Sequence, residues 1–273
     1  MKLIIFTIFL IVFILYFYTI YKTGFFIVPN HCPSRLEKNE QKIPRNICVV
    51  YHENKLSELL KPNIDSLIEK NPEYSFSFYN ESNSRNFISR YFGERYARAY
   101  DKVIPGAYKA DFFRYCYIYI NGGVYIDINK KLLVPLDNII KPETELFLVV
   151  DRPKCCIYQA FLASIPRHPL FKMCIDKCVE NIETNYYGED SLDPTGPRMM
   201  GRVFYELYGE CLQLGQNDKN IEIATFNGSY VIYNDKKIID SYMVNRLILN
   251  NIWKSQTNKK HYGDHWHEKT VYV

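Results

Sequence analysis

Residues 110–129 read A-D-F-F-R-Y-C-Y-I-Y-I-N-G-G-V-Y-I-D-I-N, and this stretch decides the fold. Its first part predicts a helix that ends at Gly122 and Gly123, because glycine adopts the left-handed backbone conformation without steric cost. Residues 124–126 are β-branched or aromatic, which predicts a short buried strand. A helix, a glycine stop and a buried strand in this order indicate an α/β domain.

Polar side chains stand on the helix and directly after the strand. Asp111 and Arg114 are three residues apart and therefore share one helix face, which we expect to be the ligand face rather than the core. Asp127 and Asn129 follow the strand at its carboxyl end, where open α/β sheets bind ligands. Two oxygen ligands on alternate residues suit a hard divalent cation and a diphosphate. An isolated pair of this kind is more often a turn cap, but the ordered combination favours a nucleotide-sugar site.

The same stretch resembles the sugar-binding region of the DXD-containing glycosyltransferases. This is the family of the yeast initiating α-1,6-mannosyltransferase, with the glucosylating clostridial toxins as remote kin. There an Ala-Asp-x-x-Arg-Tyr helix precedes Gly-Gly-x-Tyr-x-Asp-x-Asp. The matching residues are Ala110, Asp111, Arg114, Tyr115, Gly122, Gly123, Tyr125 and Asp127. The departure is Asn129, where the family usually has a second aspartate; the amide oxygen can still bind a metal ion but removes one negative charge.

The resemblance implies a single GT-A-like, Rossmann-type nucleotide-sugar domain that is an enzyme. It implies a metal-dependent, retaining transfer of a hexose from a UDP- or GDP-sugar to a glycan or glycoprotein acceptor. Mn²⁺ or Mg²⁺ is the expected cofactor. By analogy we expect front-face attack, in which the leaving phosphate accepts the acceptor's proton. A carboxylate nucleophile at Asp151 is the alternative, although a turn role for this residue is at least as plausible.

The resemblance also assigns roles to individual residues. The expected catalytic residues are Asp127, Asp111 and Arg114. The expected donor-binding residues are Tyr51, Asp111, Arg114, Tyr125, Asp127, Asn129 and Trp266. The expected metal ligands are Asp127, Asn129, His261, Asp264 and His265.

Two of these assignments have an ordinary structural alternative. Tyr51 stands where the family has a tryptophan that stacks on the nucleobase, but a core tyrosine at a strand end explains it equally well. Residues 261–266 resemble the family's closing segment, and the alternative is a surface segment without function. We expect this tail to fold over the donor, outside an α/β core that is complete before it. The Thr195-Gly196-Pro197 sequence matches a family loop that follows the acceptor-side region.

Two other classes of protein remain open. A catalytically inactive glycosyltransferase fold that acts as a sugar- or nucleotide-binding subunit is consistent with Asn129. A membrane-anchored structural protein without a sugar site is the second, and it predicts no stabilisation by a nucleotide and metal.

The composition limits the protein to a globular class. The chain has 273 residues, of which 47% are hydrophobic and 23% charged, and this is enough for one sizeable core. The 16% aromatic content argues against disorder. The formal net charge is +4, and the lysines and arginines are scattered among acids. A basic stripe is therefore missing from the sequence, which argues against nucleic acid as a partner.

The N-terminus predicts a membrane anchor. Residues 3–20 are 18 consecutive uncharged residues, which reach about 27 Å as a helix and nearly match the hydrocarbon core of a bilayer. A cleavable signal peptide is the alternative, but no Ala-x-Ala-like site follows. We therefore expect a signal anchor at 1–22, a polar stem at 23–42 and the catalytic domain at 43–273. A single-pass protein of this kind would hold its catalytic domain in the lumen of a Golgi- or ER-like compartment or of a virus-modified host membrane.

The remaining pattern predicts further elements and some covalent chemistry. Helices are expected at 56–70, 87–100 and 169–182, strands at 47–51, 75–79, 146–150, 221–224 and 230–233, and a functional loop at 185–201. Pro62 predicts either a kink or a new helix start. In a lumen, one or two disulfides are expected among the eight cysteines, and the spacing does not fix their pairing.

Overall fold

The computed structural model describes residues 24–36, 38, 40–152, 155–209, 220–241 and 260–273. The anchor predicted at 1–22 lies outside these residues. Within the described part of the chain, no helix has the length and apolar character needed to cross a membrane.

The described residues form a mixed α/β domain, which confirms the predicted fold class. The strands are β1 (Phe25–Ile27), β2 (His31–Cys32), β3 (Asn46–Val50), β4 (Lys55–Ser57), β5 (Ser75–Tyr79), β6 (Gly123–Ile126), β7 (Lys131–Leu132), β8 (Leu146–Val150), β9 (Phe161–Ser164), β10 (Ile221–Phe226), β11 (Tyr230–Tyr233) and β12 (Lys236–Asp240). The helices are α1 (Lys61–Glu69), α2 (Glu81–Phe92), α3 (Glu94–Lys102), α4 (Gly106–Asn121), α5 (Pro169–Glu183), α6 (Pro197–Tyr208) and α7 (Tyr262–His267).

Ten of these strands form one sheet in the order β2-β5-β3-β6-β9-β8-β10-β11-β12-β7. Strands β5, β3 and β6 are parallel neighbours, so their carboxyl ends meet at one edge. Strand β9 pairs antiparallel with β6, which makes the sheet mixed. This arrangement brings the residues that follow β3, β5 and β6 into one place.

The sheet buries both of its faces because its central strands are apolar on consecutive residues. In β6, Tyr125 faces one core cluster while Val124 and Ile126 face the other. Helix α4 belongs to the first cluster, and its residues Phe112 and Cys116 are fully buried. A central helix and strand covered on both sides give the site a rigid base.

Most predicted elements are present, but three differ in extent. The pattern at 56–70 is a strand, a short 3₁₀ turn and then α1, and Pro62 lies in the first turn of α1, as the alternative of a new helix start required. The pattern at 87–100 is two helices, because Gly93 breaks it with φ +88°. Helix α6 begins at Pro197, inside the expected loop at 185–201.

The segment expected to be a stem contains strands that pair with the domain. Strand β1 pairs with β4, and β2 pairs with β5 at one end of the large sheet. The division into anchor, stem and catalytic domain stays a prediction. Cys155 is disulfide-bonded, and the other six cysteines among the described residues are free.

Candidate active site

The turn between α4 and β6 requires both of its glycines. Gly122 and Gly123 have φ values of +62° and +86°. A Cβ atom on Gly123 would lie 1.8 Å from Oδ1 of Asn46 and 2.7 Å from its backbone oxygen, and one on Gly122 would lie 2.7 Å from the backbone nitrogen of Pro166. Glycine therefore lets the helix turn directly into the strand, and this fixes the position of Asp127 relative to Asp111 and Arg114.

Arg114 joins the two carboxylates of the motif. Its Nη2 lies 3.3 Å from Oδ1 of Asp111 and 3.5 Å from Oδ1 of Asp127. Its Nη1 donates to the backbone oxygen of Gln159 at 2.6 Å. Arg114 and Asp111 are only 5% and 7% exposed. The expectation that both lie outside the core is therefore wrong: they form a buried base beneath Asp127, whose side chain is 31% exposed.

Burial controls the charge of Asp111. Desolvation raises its pKa to about 6, although the charge of Arg114 and a hydrogen bond from Thr195 act in the opposite direction. In that bond, Oγ1 of Thr195 donates to Oδ2 of Asp111 at 2.9 Å. The carboxylate therefore changes its charge in a weakly acidic range instead of near the usual value of 3.8.

Tyr125 holds the carboxylate of Asp127 in place. Its hydroxyl donates to Oδ1 of Asp127 at 2.8 Å, and Cζ of Arg114 lies 4.5 Å from its ring centroid. Burial raises the pKa of Tyr125 well above its ordinary value, so the phenol stays protonated and remains a donor. Oδ1 of Asp127 thus faces Tyr125 and Arg114.

Asn129 presents an oxygen that fits a cation or a ligand donor. Its Oδ1 is buried and has no hydrogen-bond partner among the described residues. The loop around it is attached to α1 on both sides: Nδ2 of Asn63 donates to the oxygen of Ile128 at 3.0 Å, and the N–H of Leu132 donates to Oγ of Ser66 at 3.2 Å. A carboxylate and an unsatisfied amide oxygen on alternate residues fit a hard divalent cation that also binds phosphate.

A cavity of about 420 Å³ lies at the carboxyl ends of β3, β5 and β6, and Tyr125 forms part of its wall. Its walls include Arg114, Asp127 and Asn129, and residues 260–262 contribute from the C-terminal segment. This volume lies in the range of sites for small ligands. Tyr51 also lines the cavity, as a stacking role requires, and burial raises its pKa to about 12.

The tail residues predicted to bind the donor or the metal ion do not all lie at the cavity. His261 lines the cavity, whereas the indole N–H of Trp266, a residue expected to bind the donor, donates to the backbone oxygen of Tyr187 at 2.6 Å. His265 bonds through Nδ1 to Thr270, and Asp264 is exposed. Among the described residues, no three His, Cys, Asp or Glu side chains gather closely enough to hold a metal ion. The ligand roles of the tail residues stay predictions.

The tail is part of the domain core and not an addition to it. Val271 is fully buried in the cluster that contains α4, and the N–H of Ile104 donates to its oxygen at 2.9 Å. The expectation that the core is complete before residue 261 is therefore wrong. Asp151, the alternative nucleophile, accepts a hydrogen bond from the backbone N–H of Arg152, and burial raises its pKa.

Two supporting residues were missed by sequence reasoning. Gln159 holds Arg114 through its backbone oxygen, and its amide donates to the hydroxyl of Tyr115. That hydroxyl donates to the oxygen of Thr195 at 2.8 Å, so one hydrogen-bonded chain connects Arg114 to the residue that binds Asp111. The Thr-Gly-Pro sequence marks Thr195 as noteworthy, but no sequence signal marks Gln159.

Comparison with known proteins gives a consistent picture. Residues 57–146 match the family described as "Glycosyltransferase sugar-binding region containing DXD motif". The mannosyl phosphorylinositol ceramide synthase CSH1 of Saccharomyces cerevisiae is 28% identical over 154 residues, which is 55% of this chain and 39% of that protein. The initiation-specific alpha-1,6-mannosyltransferase of Candida albicans is 26% identical over 187 residues, or 56% and 49% of the two chains. The matches thus span less than half the length of either relative.

Among solved structures, the PaToxG glycosyltransferase superposes with a TM-score of 0.52 at 18% sequence identity. The match covers 62% of this chain and 71% of that one, and it confirms a glycosyltransferase-like α/β fold around a central sheet. The motif, its geometry and the matched region agree: residues 57–146 of this chain are similar to the sugar-binding region of the glycosyltransferases that contains the DXD motif.

Proposed function

We propose that the protein transfers a hexose from a UDP- or GDP-sugar to a hydroxyl of a glycan or glycoprotein acceptor. The observation that carries this proposal is the cavity where Asp127, the unpartnered Oδ1 of Asn129 and the buried Arg114 come together. The mannosyl transfer named for two relatives supports mannose as the hexose, and one of those relatives adds an inositol-containing ceramide lipid as an acceptor class to test.

Asp127 and Asn129 are the residues that would hold Mn²⁺ or Mg²⁺. The ion would neutralise negative charge on the leaving diphosphate. Tyr125 and Arg114 both face Oδ1 of Asp127, so they orient the carboxylate without covering both of its oxygens. Asn129 contributes a neutral oxygen, so this pair carries one negative charge less than two aspartates.

Arg114, which lines the cavity, and Asp111, which lies beside it, are the residues that would orient the sugar. The guanidinium fork donates to sugar oxygens and the ionised carboxylate accepts from sugar hydroxyls. Their burial keeps these bonds out of bulk water, where they would be weaker. The walls formed by residues 260–262 help to exclude water from the reacting sugar.

Retention at the anomeric carbon follows from front-face attack, in which the acceptor hydroxyl passes its proton to the departing phosphate. Double displacement through Asp151 is the alternative. Membrane attachment through residues 1–22, with the domain in a lumen, belongs to the same proposal.

The direct test uses the full chain purified in detergent, with GDP-mannose and UDP-hexoses as donors and Mn²⁺ or a chelator. We expect metal-dependent donor cleavage, and transfer with retained anomeric configuration by NMR. Asp127→Ala should abolish both donor cleavage and transfer. The matched control is Asp176→Asn, which removes an exposed carboxylate that pairs with Lys172 and should keep full activity. If no donor is cleaved under any condition, the proposal fails.

The second candidate is the inactive binding subunit, which the neutral Asn129 favours. It predicts that a nucleotide with Mn²⁺ raises the melting temperature while the donor stays intact. Asn129→Asp would then be expected to strengthen metal binding without creating turnover.

A further inference from the structure

We propose that the cavity reads the nucleobase of the donor as guanine, through the paired side chains of Glu81 and Lys109. This inference rests on the proposed function, since it names which nucleotide the same cavity accepts.

The order of the strands shows where the base must lie. Glu81 follows β5, Tyr51 follows β3 and Asp127 follows β6, and these three strands are parallel neighbours. Adjacent strands are about 4.8 Å apart, so the end of β5 is about 10 Å from the end of β6. An extended nucleoside diphosphate covers this length. With the diphosphate at Asp127, its base reaches Tyr51 and Glu81.

The cavity extends in the same direction. Its wall at the β5 end is formed by Glu81, Tyr100 and Lys109, and Tyr51 lies on the same cavity. The ring of Tyr51 offers a surface on which a base can stack.

Glu81 and Lys109 are held as a pair on that wall. Nζ of Lys109 donates to Oε1 of Glu81, and the lysine side chain is only 14% exposed. The same Nζ lies 5.1 Å from the ring centroid of Tyr100. Glu81 is the first residue of α2, whose start is fixed by Asn80, since Oδ1 of Asn80 accepts the N–H of Asn83 at 2.8 Å. The cavity therefore has an anionic acceptor beside a cationic donor.

This pattern matches the hydrogen-bonding edge of guanine. Guanine presents two adjacent N–H donors, at N1 and N2, next to the acceptor O6. The two oxygens of Glu81 can accept from both donors while Lys109 donates to O6. Uracil offers a single N–H between two carbonyl oxygens, so one oxygen would face the carboxylate. A matched bidentate contact discriminates between bases by roughly 10- to 100-fold.

The test measures the dissociation constants of GDP, IDP and UDP for the full chain with Mn²⁺ by calorimetry. IDP differs from GDP only by the missing 2-amino group. We expect GDP to bind roughly 10-fold or more tightly than either IDP or UDP. Equal binding of GDP and IDP, or tighter binding of UDP, would overturn the inference while leaving the proposed function standing. If neither GDP nor UDP binds, the proposed function itself fails.

Two variants test whether the side chain of Glu81 causes the preference for GDP. Glu81→Gln should bring the dissociation constants of GDP and IDP to within about twofold of each other, because the amide accepts at one atom only. Glu94→Gln is the matched control: Glu94 is the first residue of α3, its carboxylate bonds Arg85 and Ser89, and it is absent from the cavity walls. A GDP preference that survives in Glu81→Gln would refute the role of Glu81. If Glu81→Gln fails to fold, the comparison of the three nucleotides on the unaltered chain still decides.

Discussion

Replacing Arg114 by methionine tests whether the buried charges act as one unit. Methionine keeps much of the volume but removes the positive charge between Asp111 and Asp127 and the donor that satisfies the oxygen of Gln159. Contrary to the expectation from sequence, the fold should be weakened, because Arg114 is 5% exposed and all three partners lose it at once.

The magnitude follows from the surroundings of each partner. A buried carbonyl left without a donor costs about 1–3 kcal/mol, and the lost contact with the ring of Tyr125 costs about 0.5–1 kcal/mol. Asp111 can avoid a buried unpaired charge by taking a proton. Its pKa is already about 6, so at pH 7 this adds at most about 1.4 kcal/mol. We expect a total of about 3–5 kcal/mol at pH 7, in the range for a broken buried ion pair.

The contribution of Asp111 depends on pH in a definite direction. Its folded pKa lies above the ordinary value of 3.8, so in the unaltered chain this group makes the fold less stable as the pH rises from about 4 to about 6. At pH 5 the Asp111 carboxyl is mostly protonated whether or not Arg114 is present, so the substitution no longer adds the free energy of protonating it. The loss caused by Arg114→Met should thus be about 1.4 kcal/mol smaller at pH 5 than at pH 7.

The assay is urea denaturation at both pH values, followed by circular dichroism, with Arg95→Met as the control. Arg95 pairs with Glu183 on the surface, where its side chain is 62% exposed, so its loss should cost under about 1 kcal/mol. A loss below about 1 kcal/mol for Arg114→Met, or an equal loss at pH 5 and pH 7, would refute this account of the site.

Four further outcomes are expected. Gly123→Ala should destabilise the fold by about 3 kcal/mol or more in denaturation, because its Cβ would collide with Asn46, whereas Gly106→Ala, with open space around it, should be neutral or slightly stabilising. Transfer activity should fall as the pH drops through about 6, where Asp111 is protonated, and a flat pH–rate profile would contradict this. Asn129→Asp should bind Mn²⁺ at least as tightly as the unaltered chain in calorimetry, and weaker binding would exclude residue 129 as a ligand. Val271→Ala should lower the free energy of unfolding by about 1–3 kcal/mol, and with it the melting temperature, because the side chain is fully buried. An unchanged melting temperature would show that the tail does not support the core.

The central motif could be predicted because its information is local. Glycines at 122 and 123, an apolar run after them and polar residues at the strand end each act within a few residues, and the structure shows the helix, turn and strand as expected. The single helix predicted at 87–100 is two helices because Gly93 ends the first one. An amphipathic pattern alone does not exclude such a break.

The rest depends on contacts between distant parts of the chain. Leu56 follows a helical period, yet it lies in a strand because β1 pairs with it, and that partner lies 30 residues earlier at Phe26. Trp266 was expected to bind the donor, but its indole N–H donates to the backbone oxygen of Tyr187. The burial of Arg114 and the support from Gln159 likewise arise only when β9 lies beside β6.

The attachment of the Asn129 loop to α1 changes how loss of function would be distributed along the sequence. Asn63 and Ser66 fix the backbone on either side of Asn129, although both come from a helix more than 60 residues earlier. In a random-mutagenesis screen, substitutions at these two positions should therefore reduce activity as often as substitutions in the motif itself. Binding should also be fast, because a loop already fixed at both ends has no ordering step to complete before a donor enters.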